Sequence, residues 1–207
     1  MLFRSISSRL TASRLTASHL AVLALVAGAL VAVTAPVRAQ SYDERFTGGS
    51  PRNKLFGMYG SPIAKTTVSF PGNYSPGTII VNTTERRLYL VTGGGEAIRY
   101  GIGVGRVGFT WTGTTAVSAK KEWPDWTPPA QMLARRPDLP RHMGGGIDNP
   151  LGARAMYLGS TLYRIHGSNE PETIGEAVSS GCFRMTNDDV VDLYNRVNVG
   201  AKVIVLH

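Results

Sequence analysis

The feature that most restricts the fold of this chain is a series of short β-branched and aromatic runs separated by turn-forming residues. The segment TIIVNTTERRLYLV, beginning at Thr78, has two such runs around residues 82–86 and predicts a β-hairpin. GGGEAIRYGIGVG then predicts a turn and a glycine-rich strand. Later segments also have strand character: residues 114–119, 155–158 and 161–166. Short strands in this number predict a mainly β sandwich or barrel.

One helix stands out against this β pattern, near the C-terminus. Thr186 can cap it, with Asp189 three residues later in an arrangement close to a capping box. Apolar residues then recur at helical spacing on one face: Val190, Leu193, Tyr194 and Val197. Gly200 is predicted to end the helix, and AKVIVL is predicted to form a final strand.

Residues 1–39 have the layout of a secretory signal peptide. Three arginines precede an uncharged apolar run, residues 20–33, which is shorter than the ~20 residues of a membrane span. Val37 and Ala39 are small residues placed for cleavage before Gln40. No cysteine lies just after the apolar run, which excludes a lipid-modified N-terminus. We therefore expect export to the periplasm or cell envelope, with an uncleaved anchor as the alternative.

The exported part divides into an N-terminal arm and a domain. Residues 40–76 are rich in Gly, Pro, Ser and Asn, which favours an extended arm or linker, with plain disorder as the alternative. Residues 77–207 form the predicted domain. The leader carries four arginines and no acid, so the net charge falls from +8 to +4. The remaining basic residues are scattered, which argues against a nucleic-acid partner and favours weak attraction to an anionic surface or polymer.

A glycine-rich segment and a long loop each suggest a binding function. The glycines of GGGEAIRYGIGVG do not predict nucleotide binding, because no helix follows and no Lys-Ser/Thr pair closes the loop. The Pro- and Gly-rich residues 123–140 are long for a connection, which is typical of a lid or a binding loop. The two tryptophans of this segment, Trp123 and Trp126, either line a substrate groove or pin the loop to the core.

Cys182 is the only cysteine of the 207 residues. Exported proteins pair their cysteines, so a single one is intermolecular, buried and inert, or a working thiol. His166 lies sixteen residues upstream, and Gly181 permits a sharp turn that exposes a nucleophile. A nearby imidazole and a helix N-terminus both favour the thiolate. This arrangement predicts nucleophilic chemistry, with a structural cysteine and a surface histidine as the alternative.

The residues around Cys182 extend this hypothesis. The backbone N–H groups of Gly181, Cys182 and Phe183 are positioned to form an oxyanion hole. Arg184 places a positive charge beside the site, for an anionic substrate or for a routine salt bridge. The candidate metal ligands match no zinc-site spacing: His142, His166, Cys182 and His207. We therefore expect neither a metal nor another cofactor.

The motif IHG, followed after about a dozen residues by SSGCFRM, a helix and a strand, resembles the signature of the L,D-transpeptidases with the YkuD-type catalytic domain (the ErfK/YbiS/YcfS/YnhG-like group). The resemblance extends upstream through GTIIVNTTERRLYLV and GIGVG to NPLGARAMYL, and covers roughly residues 77–206. Ser180 is a departure, because many members carry histidine there, although serine also occurs. The resemblance implies a YkuD-like β-sandwich or barrel of mixed strands, with one helix after the catalytic cysteine loop.

The resemblance also implies a reaction. Cys182 would attack the third-residue carbonyl of a peptidoglycan stem tetrapeptide and release D-alanine, and carbapenems would acylate the same thiol. His166 would accept and return the proton, with its ring held by the Gly167 carbonyl. An amine acceptor would resolve the acyl-enzyme, either a diamino acid of another stem or a lysine of an outer-membrane protein or lipoprotein. The substrate-contacting residues expected for a monomeric enzyme are Arg184, Ser180, Tyr157, Trp123 and Trp126.

Several rival functions fit parts of the pattern. Water as acceptor would make the site an L,D-carboxypeptidase. Sortases carry a TLxTC-like nucleophile motif with a far longer gap from the histidine, and NlpC-type peptidases have cysteine before histidine. A non-catalytic wall-binding protein on the same scaffold is the rival from another class. The joint presence of His166, Gly167, Cys182 and Arg184 weighs against it.

Overall fold

The computed structural model describes residues 61–207. The predicted signal peptide and residues 40–60 of the predicted arm lie outside the described residues. The described part contains eleven strands, two α-helices and one 3-10 helix. The strands are β1 (Thr66–Ser69), β2 (Ile79–Asn82), β3 (Arg87–Gly93), β4 (Glu96–Gly101), β5 (Val104–Gly105), β6 (Gly113–Glu122), β7 (Arg154–Leu158), β8 (Arg164–His166), β9 (Ala177–Ser179), β10 (Phe183–Arg184) and β11 (Lys202–Leu206). The helices are α1 (Ala130–Arg135), α2 (Asn187–Arg196) and the 3-10 helix Pro171–Thr173.

Nine of these strands form one mixed sheet in the order β1-β4-β3-β2-β11-β6-β7-β8-β10. The pairs β2–β11 and β8–β10 are parallel, and the other neighbours in this sheet are antiparallel. β5 and β9 form a separate parallel pair. The predicted mainly β fold with mixed strands is therefore confirmed.

The core lies where the sheet meets α2. Burial alternates along β11, as expected for a strand with one face on the core, whereas the three successive residues Ile79, Ile80 and Val81 of β2 are all buried. Residues of both strands join the apolar face of α2 in one cluster whose members include Ile79, Val81, Val190, Leu193, Val203 and Val205. Burial of each such side chain stabilises the fold by roughly 1.5–3 kcal/mol. No helix of the described residues is long and apolar enough to cross a membrane.

Most predicted elements are present, with adjusted ends. The hairpin is β2–β3, and Arg86 in its turn has a positive φ of 58°. The strand predicted at 114–119 is the longer β6. The strand predicted to begin at residue 161 begins only at Arg164, because Thr161 forms a turn: its Oγ1 donates to Leu158 O at 2.7 Å and accepts from the Tyr163 N–H at 3.1 Å.

The predicted C-terminal helix is confirmed as α2. Thr186 caps it by accepting the Asp189 N–H at 3.3 Å. The helix ends at Arg196, before Gly200, so the predicted stop was placed too late. Lys120 of β6 explains this end, because its Nζ donates to the carbonyls of Tyr194 at 2.7 Å and Val197 at 2.6 Å.

Two elements lie where the sequence pattern did not predict any. β1, within the predicted arm, pairs antiparallel with β4 from Thr66↔Arg99 to Ser69↔Glu96. α1 lies within the predicted loop of residues 123–140. Both are short, at four and six residues, and neither buries a residue of its own, so neither leaves a hydrophobic period in the sequence.

Candidate active site

A cavity of about 620 Å³ lies where β8 and β10 run side by side. The parallel register places Arg184 opposite His166, so the chain segments that carry His166 and Cys182 are adjacent despite their separation in sequence. Both residues line the cavity. The structure therefore brings together the two residues that the sequence pattern singled out.

His166 is the last residue of β8 and is buried. Its Nδ1 lies 2.6 Å from the Gly167 carbonyl oxygen, which can only accept a hydrogen bond. Nδ1 therefore carries the proton, and Nε2 keeps a free lone pair. Burial lowers the pKa of His166 to about 3, and the charges of Arg184 and Arg164 act in the same direction. The resting imidazole is neutral and able to accept a proton.

The surroundings of position 167 leave room only for glycine. A Cβ at this position would collide with the Oδ1 of Asn187, the first residue of α2. The same Oδ1 accepts the Ala153 N–H at 2.8 Å, which joins the helix to the segment before β7. Asn187 was not identified from the sequence, because a polar residue after a helix cap is ordinary. Its contacts fix the backbone that presents the Gly167 carbonyl to His166.

Cys182 lies in the turn between β9 and β10 and is partly exposed. Its Sγ lies 3.9 Å from the Leu162 carbonyl oxygen, and no hydrogen bond within residues 61–207 joins it to His166. Burial raises the pKa of Cys182, while hydrogen bonds and charge from Arg164 oppose the shift. The resting thiol is therefore protonated, in contrast to the expectation that the imidazole and helix N-terminus would hold it as thiolate. The hydrogen bond between a catalytic nucleophile and its base, here Cys182 and His166, is often long in the absence of substrate.

Ser179 and Gly181 shape the turn that presents Cys182. Ser179 Oγ donates to the Cys182 carbonyl at 2.7 Å and accepts the Gly181 N–H at 3.1 Å. Gly181 has φ of 109°, and a Cβ there would collide with the Tyr163 ring. Ser179 was missed by sequence reasoning, since either serine of SSGC is equally small and polar.

The three N–H groups predicted for the oxyanion hole are not equivalent. The Gly181 N–H is already bonded to Ser179 Oγ, so Gly181 does not fit this role in the structure. Phe183 belongs to β10 and pairs with Ile165 of β8. The Cys182 N–H donates to no described acceptor, which leaves it available for a substrate oxygen.

The aromatic pair Trp111 and Tyr163 packs against Gly181, in the turn that presents Cys182. The rings of Trp111 and Tyr163 are stacked at 4.9 Å and 10° between planes. Trp111 Nε1 donates to the Gly181 carbonyl at 3.1 Å, and its ring also contacts Phe183 at 5.6 Å. Trp111 was also missed, since it precedes β6 in a loop without any motif.

Residues 76–205 match the family model of the L,D-transpeptidase catalytic domain, YkuD. This chain belongs to the L,D-transpeptidase family. Probable L,D-transpeptidase YcfS of Escherichia coli K12 is 38% identical over 139 residues, which are 62% of this chain and 43% of that protein. Probable L,D-transpeptidase YbiS of the same strain is 41% identical over 134 residues, 60% of this chain and 43% of that protein. The chain thus spans less than half the length of these relatives.

A solved structure shares the fold. L,D-transpeptidase 3 of Mycobacterium tuberculosis, crystallised in complex with a faropenem-derived adduct, superposes with a TM-score of 0.50 at 19% identity. The match covers 63% of this chain and 60% of that chain. At this identity the likeness shows the fold alone, and it confirms the YkuD-type fold expected from the motif.

Arg184 of this L,D-transpeptidase domain is half-buried, and its charge is paired. Its Nη2 donates to Ser168 Oγ at 2.7 Å and to Glu170 Oε2 at 2.7 Å. Both Arg184 and Glu170 line the cavity. The salt-bridge alternative for Arg184 is therefore present in the structure, at the edge of the site.

The other predicted substrate-contacting residues divide into two groups. Ser180 and Trp126 line the cavity. Trp123 and Tyr157 are not among the described residues that line it, so their substrate contacts stay a prediction. The Trp123 backbone N–H donates to Ala153 O at 2.8 Å, which pins the start of the loop to the core. The guanidinium carbon of Arg164, which lines the cavity, lies 5.1 Å from the centroid of the Tyr157 ring. Tyr157 therefore contacts a residue of the cavity wall.

The loop of residues 123–140 and the segment after it are held by the buried side chain of Asn149. Its Nδ2 donates to Pro124 O at 3.0 Å, Gly144 O at 2.9 Å and Met143 O at 3.3 Å. Trp126 and Met143 also exchange two backbone hydrogen bonds of 2.8 Å. These contacts position α1 and Trp126 at the cavity wall.

Proposed function

We propose that this chain is a cysteine-dependent L,D-transpeptidase of the cell envelope that acts on peptidoglycan stem tetrapeptides. The observation that carries this proposal is the His166 Nδ1–Gly167 O hydrogen bond, which leaves Nε2 as a proton acceptor in the cavity that Cys182 also lines. Membership of the L,D-transpeptidase family supports the substrate class. The leader-like residues 1–39 support export to the periplasm.

The first half-reaction forms an acyl-enzyme. Cys182 Sγ bonds to the carbonyl carbon of the third stem residue while His166 Nε2 takes the thiol proton. The C–N bond to the terminal D-alanine then breaks, and the imidazolium returns the proton to the departing amine. Because burial favours the neutral form of both the thiol and the imidazole, the neutral His166 ring is able to accept the thiol proton. The Cys182 N–H would stabilise the oxyanion.

The second half-reaction transfers the acyl group to an amine. The neutral imidazole removes a proton from the attacking amine, whose nitrogen bonds to the thioester carbon, and the thiol leaves with that proton. A diamino acid of a neighbouring stem would give a cross-link, and a lysine of an outer-membrane protein or lipoprotein would give an anchored protein. Water in the same position would make the enzyme an L,D-carboxypeptidase.

The proposal is tested by incubating the purified protein with a stem tetrapeptide and an amine acceptor. D-Alanine release and the mass of the peptide product are measured, so the product mass separates amine transfer from hydrolysis. We expect release by the wild type and none by Cys182→Ala. Release at the wild-type rate in Cys182→Ala would refute the assigned nucleophile.

A further inference from the structure

The cavity of this domain carries arginines of two kinds. Arg136 is bound by Asp138 through two hydrogen bonds of 2.8 and 2.6 Å, and Arg184 is bound by Glu170 at 2.7 Å. For two further lining arginines, Arg106 and Arg135, no carboxylate of residues 61–207 lies within salt-bridge distance. Arg164, which also lines the cavity, likewise has no carboxylate of residues 61–207 within salt-bridge distance, so three of the lining arginines are uncompensated positive charges.

The guanidinium groups of Arg106 and Arg135 are held around one aromatic ring. The guanidinium carbon of Arg106 lies 4.5 Å from the Phe109 ring centroid, and that of Arg135 lies 5.2 Å from it. Arg106 precedes Phe109 in the β5–β6 connection, whereas Arg135 ends α1 of the separate 123–140 loop. Stacking on an aromatic face fixes a guanidinium plane and leaves its N–H edge free for hydrogen bonding.

Both arginines contact the segment that leads to the nucleophile. The main-chain N–H of Arg106 donates to the Ser179 carbonyl at 3.1 Å, and the guanidinium Nη2 of Arg135 lies 3.5 Å from Ser180 Oγ. Ser180 is two residues before Cys182 and also lines the cavity. The charges thus lie beside the catalytic turn, on a wall that includes the apolar side chains of Phe109 and Met132.

Two like charges near a partly apolar wall repel each other and attract an anion more strongly than they would in open water. A guanidinium fork matches the two oxygens of a carboxylate. Arg164 is not part of this pair, because its guanidinium packs on Tyr157 and its charge acts on Cys182.

We propose that Arg106, Arg135 and Ser180 form a subsite for a free carboxylate of the donor stem peptide. The inference rests on the proposed function, since it names the chemistry by which this site would select its donor. The enzyme would then discriminate against stems in which that carboxylate is amidated. The carboxylate comes either from the second stem residue or from the third, diamino acid residue.

Binding without turnover tests the subsite directly. Titration calorimetry on Cys182→Ala would use three tetrapeptides: unmodified, amidated at the second residue, and amidated at the third. We expect Arg106→Gln or Arg135→Gln, each added to Cys182→Ala, to weaken binding of the unmodified peptide roughly tenfold, the loss typical of one charge-assisted hydrogen bond. One amidated peptide should bind weakly throughout and be insensitive to these variants, which identifies the carboxylate.

Two controls separate this subsite from general effects. Arg136→Gln removes a positive charge from the same wall, but one that Asp138 already neutralises, and should leave binding within about twofold. Arg106→Lys keeps the charge without the fork and should restore part of the affinity. Alkylation of Cys182 by iodoacetamide, which carries no carboxylate, should proceed equally in Arg106→Gln, Arg135→Gln and the wild type, which checks that the turn is intact.

The outcomes for the two proposals are distinct. Equal affinities for all three peptides, or equal losses in Arg136→Gln and Arg135→Gln, would overturn the subsite. Arginine-dependent binding by a wild-type protein that releases no D-alanine would uphold the subsite and contradict the transpeptidase proposal.

Discussion

At the scale of the residue, the protonation states of Cys182 and His166 decide how the site works. Burial raises the pKa of the thiol and lowers the pKa of the imidazole to about 3. Both shifts disfavour the charged form, so the resting site holds a neutral pair. Arg164 acts on both groups: its positive charge favours an anion at Cys182 and disfavours a cation at His166.

Removing Arg164 should make the thiol less acidic. The rate of iodoacetamide alkylation of Cys182 should rise with pH to beyond pH ~9 in the wild type, because an unperturbed thiol has a pKa of ~8.5 and this one is raised. In Arg164→Gln the rate at pH ~8 should fall, because loss of the Arg164 charge and of its side-chain hydrogen bond raises the pKa of Cys182 further. Arg141→Gln, on an exposed residue outside the cavity, is the control. An alkylation plateau at acidic pH would instead reveal a thiolate–imidazolium pair.

The buried imidazole should make stability depend on pH. The unfolded His166 has a pKa of ~6.5, and the folded one about 3, so between these values the unfolded state binds more protons. Stability from this group is complete above pH ~6.5 and is lost as pH falls toward 3. Between pH 7 and 5 the wild type should lose about 2 kcal/mol more unfolding free energy than His166→Asn, measured in urea. Equal losses would show that the imidazole is not held neutral.

At the scale of the element, the sequence predicted the strands with regular patterns and missed the short ones. The β2–β3 hairpin and α2 follow from turn residues, a cap and a helical period. β1 and α1 carry no such period, and their formation depends on pairing with β4 and on the contacts of a loop. Trp123 and Trp126 illustrate the limit: identical side chains three residues apart, of which only Trp126 lines the cavity.

The loop that carries α1 should depend on Asn149. Asn149→Ala removes four hydrogen bonds of a buried amide, because Nδ2 donates to the carbonyls of Pro124, Met143 and Gly144 and Oδ1 accepts the Leu151 N–H. We expect a loss of roughly 1–3 kcal/mol of unfolding free energy, because buried polar groups lose their bonds. Trypsin should also cut faster after Arg135 and Arg141, whereas the Arg136–Pro137 bond is resistant to trypsin. Asn73→Ala, on an exposed residue outside this loop, should change neither property, and unchanged cleavage in Asn149→Ala would mean that other contacts order the loop.

At the scale of the whole molecule, parallel pairing between distant segments assembles the site. β8 and β10 are parallel neighbours, which is why a cysteine sixteen residues after a histidine returns to the same cavity. The sequence could suggest the pair of residues, but not the strand register that aligns Arg184 with His166. Ser179, Trp111 and Asn187 were out of reach for the same reason, since their roles arise from contacts across the fold.

The last strand should be essential for folding of the described domain. β11 lies inside the sheet, between β2 and β6, and contributes the buried Val203 and Val205. Deleting residues 202–207 should abolish cooperative unfolding, observed by circular dichroism during heating. Deleting His207 alone should retain it, because β11 keeps its register and Thr83 still bonds to the Leu206 carbonyl. A folded protein without residues 202–207 would contradict the central position of β11.

Intact-mass spectrometry after incubation with meropenem, on the wild type and on Cys182→Ser, tests directly whether Cys182 is the acylating nucleophile. A β-lactam carbonyl reports whether the thiol acts as an acylating nucleophile, whatever the natural acceptor. We expect one added drug mass on the wild type and none on Cys182→Ser. A folded wild-type protein that forms no adduct, or a Cys182→Ser protein that forms an equal one, would contradict the assignment of Cys182 as the nucleophile.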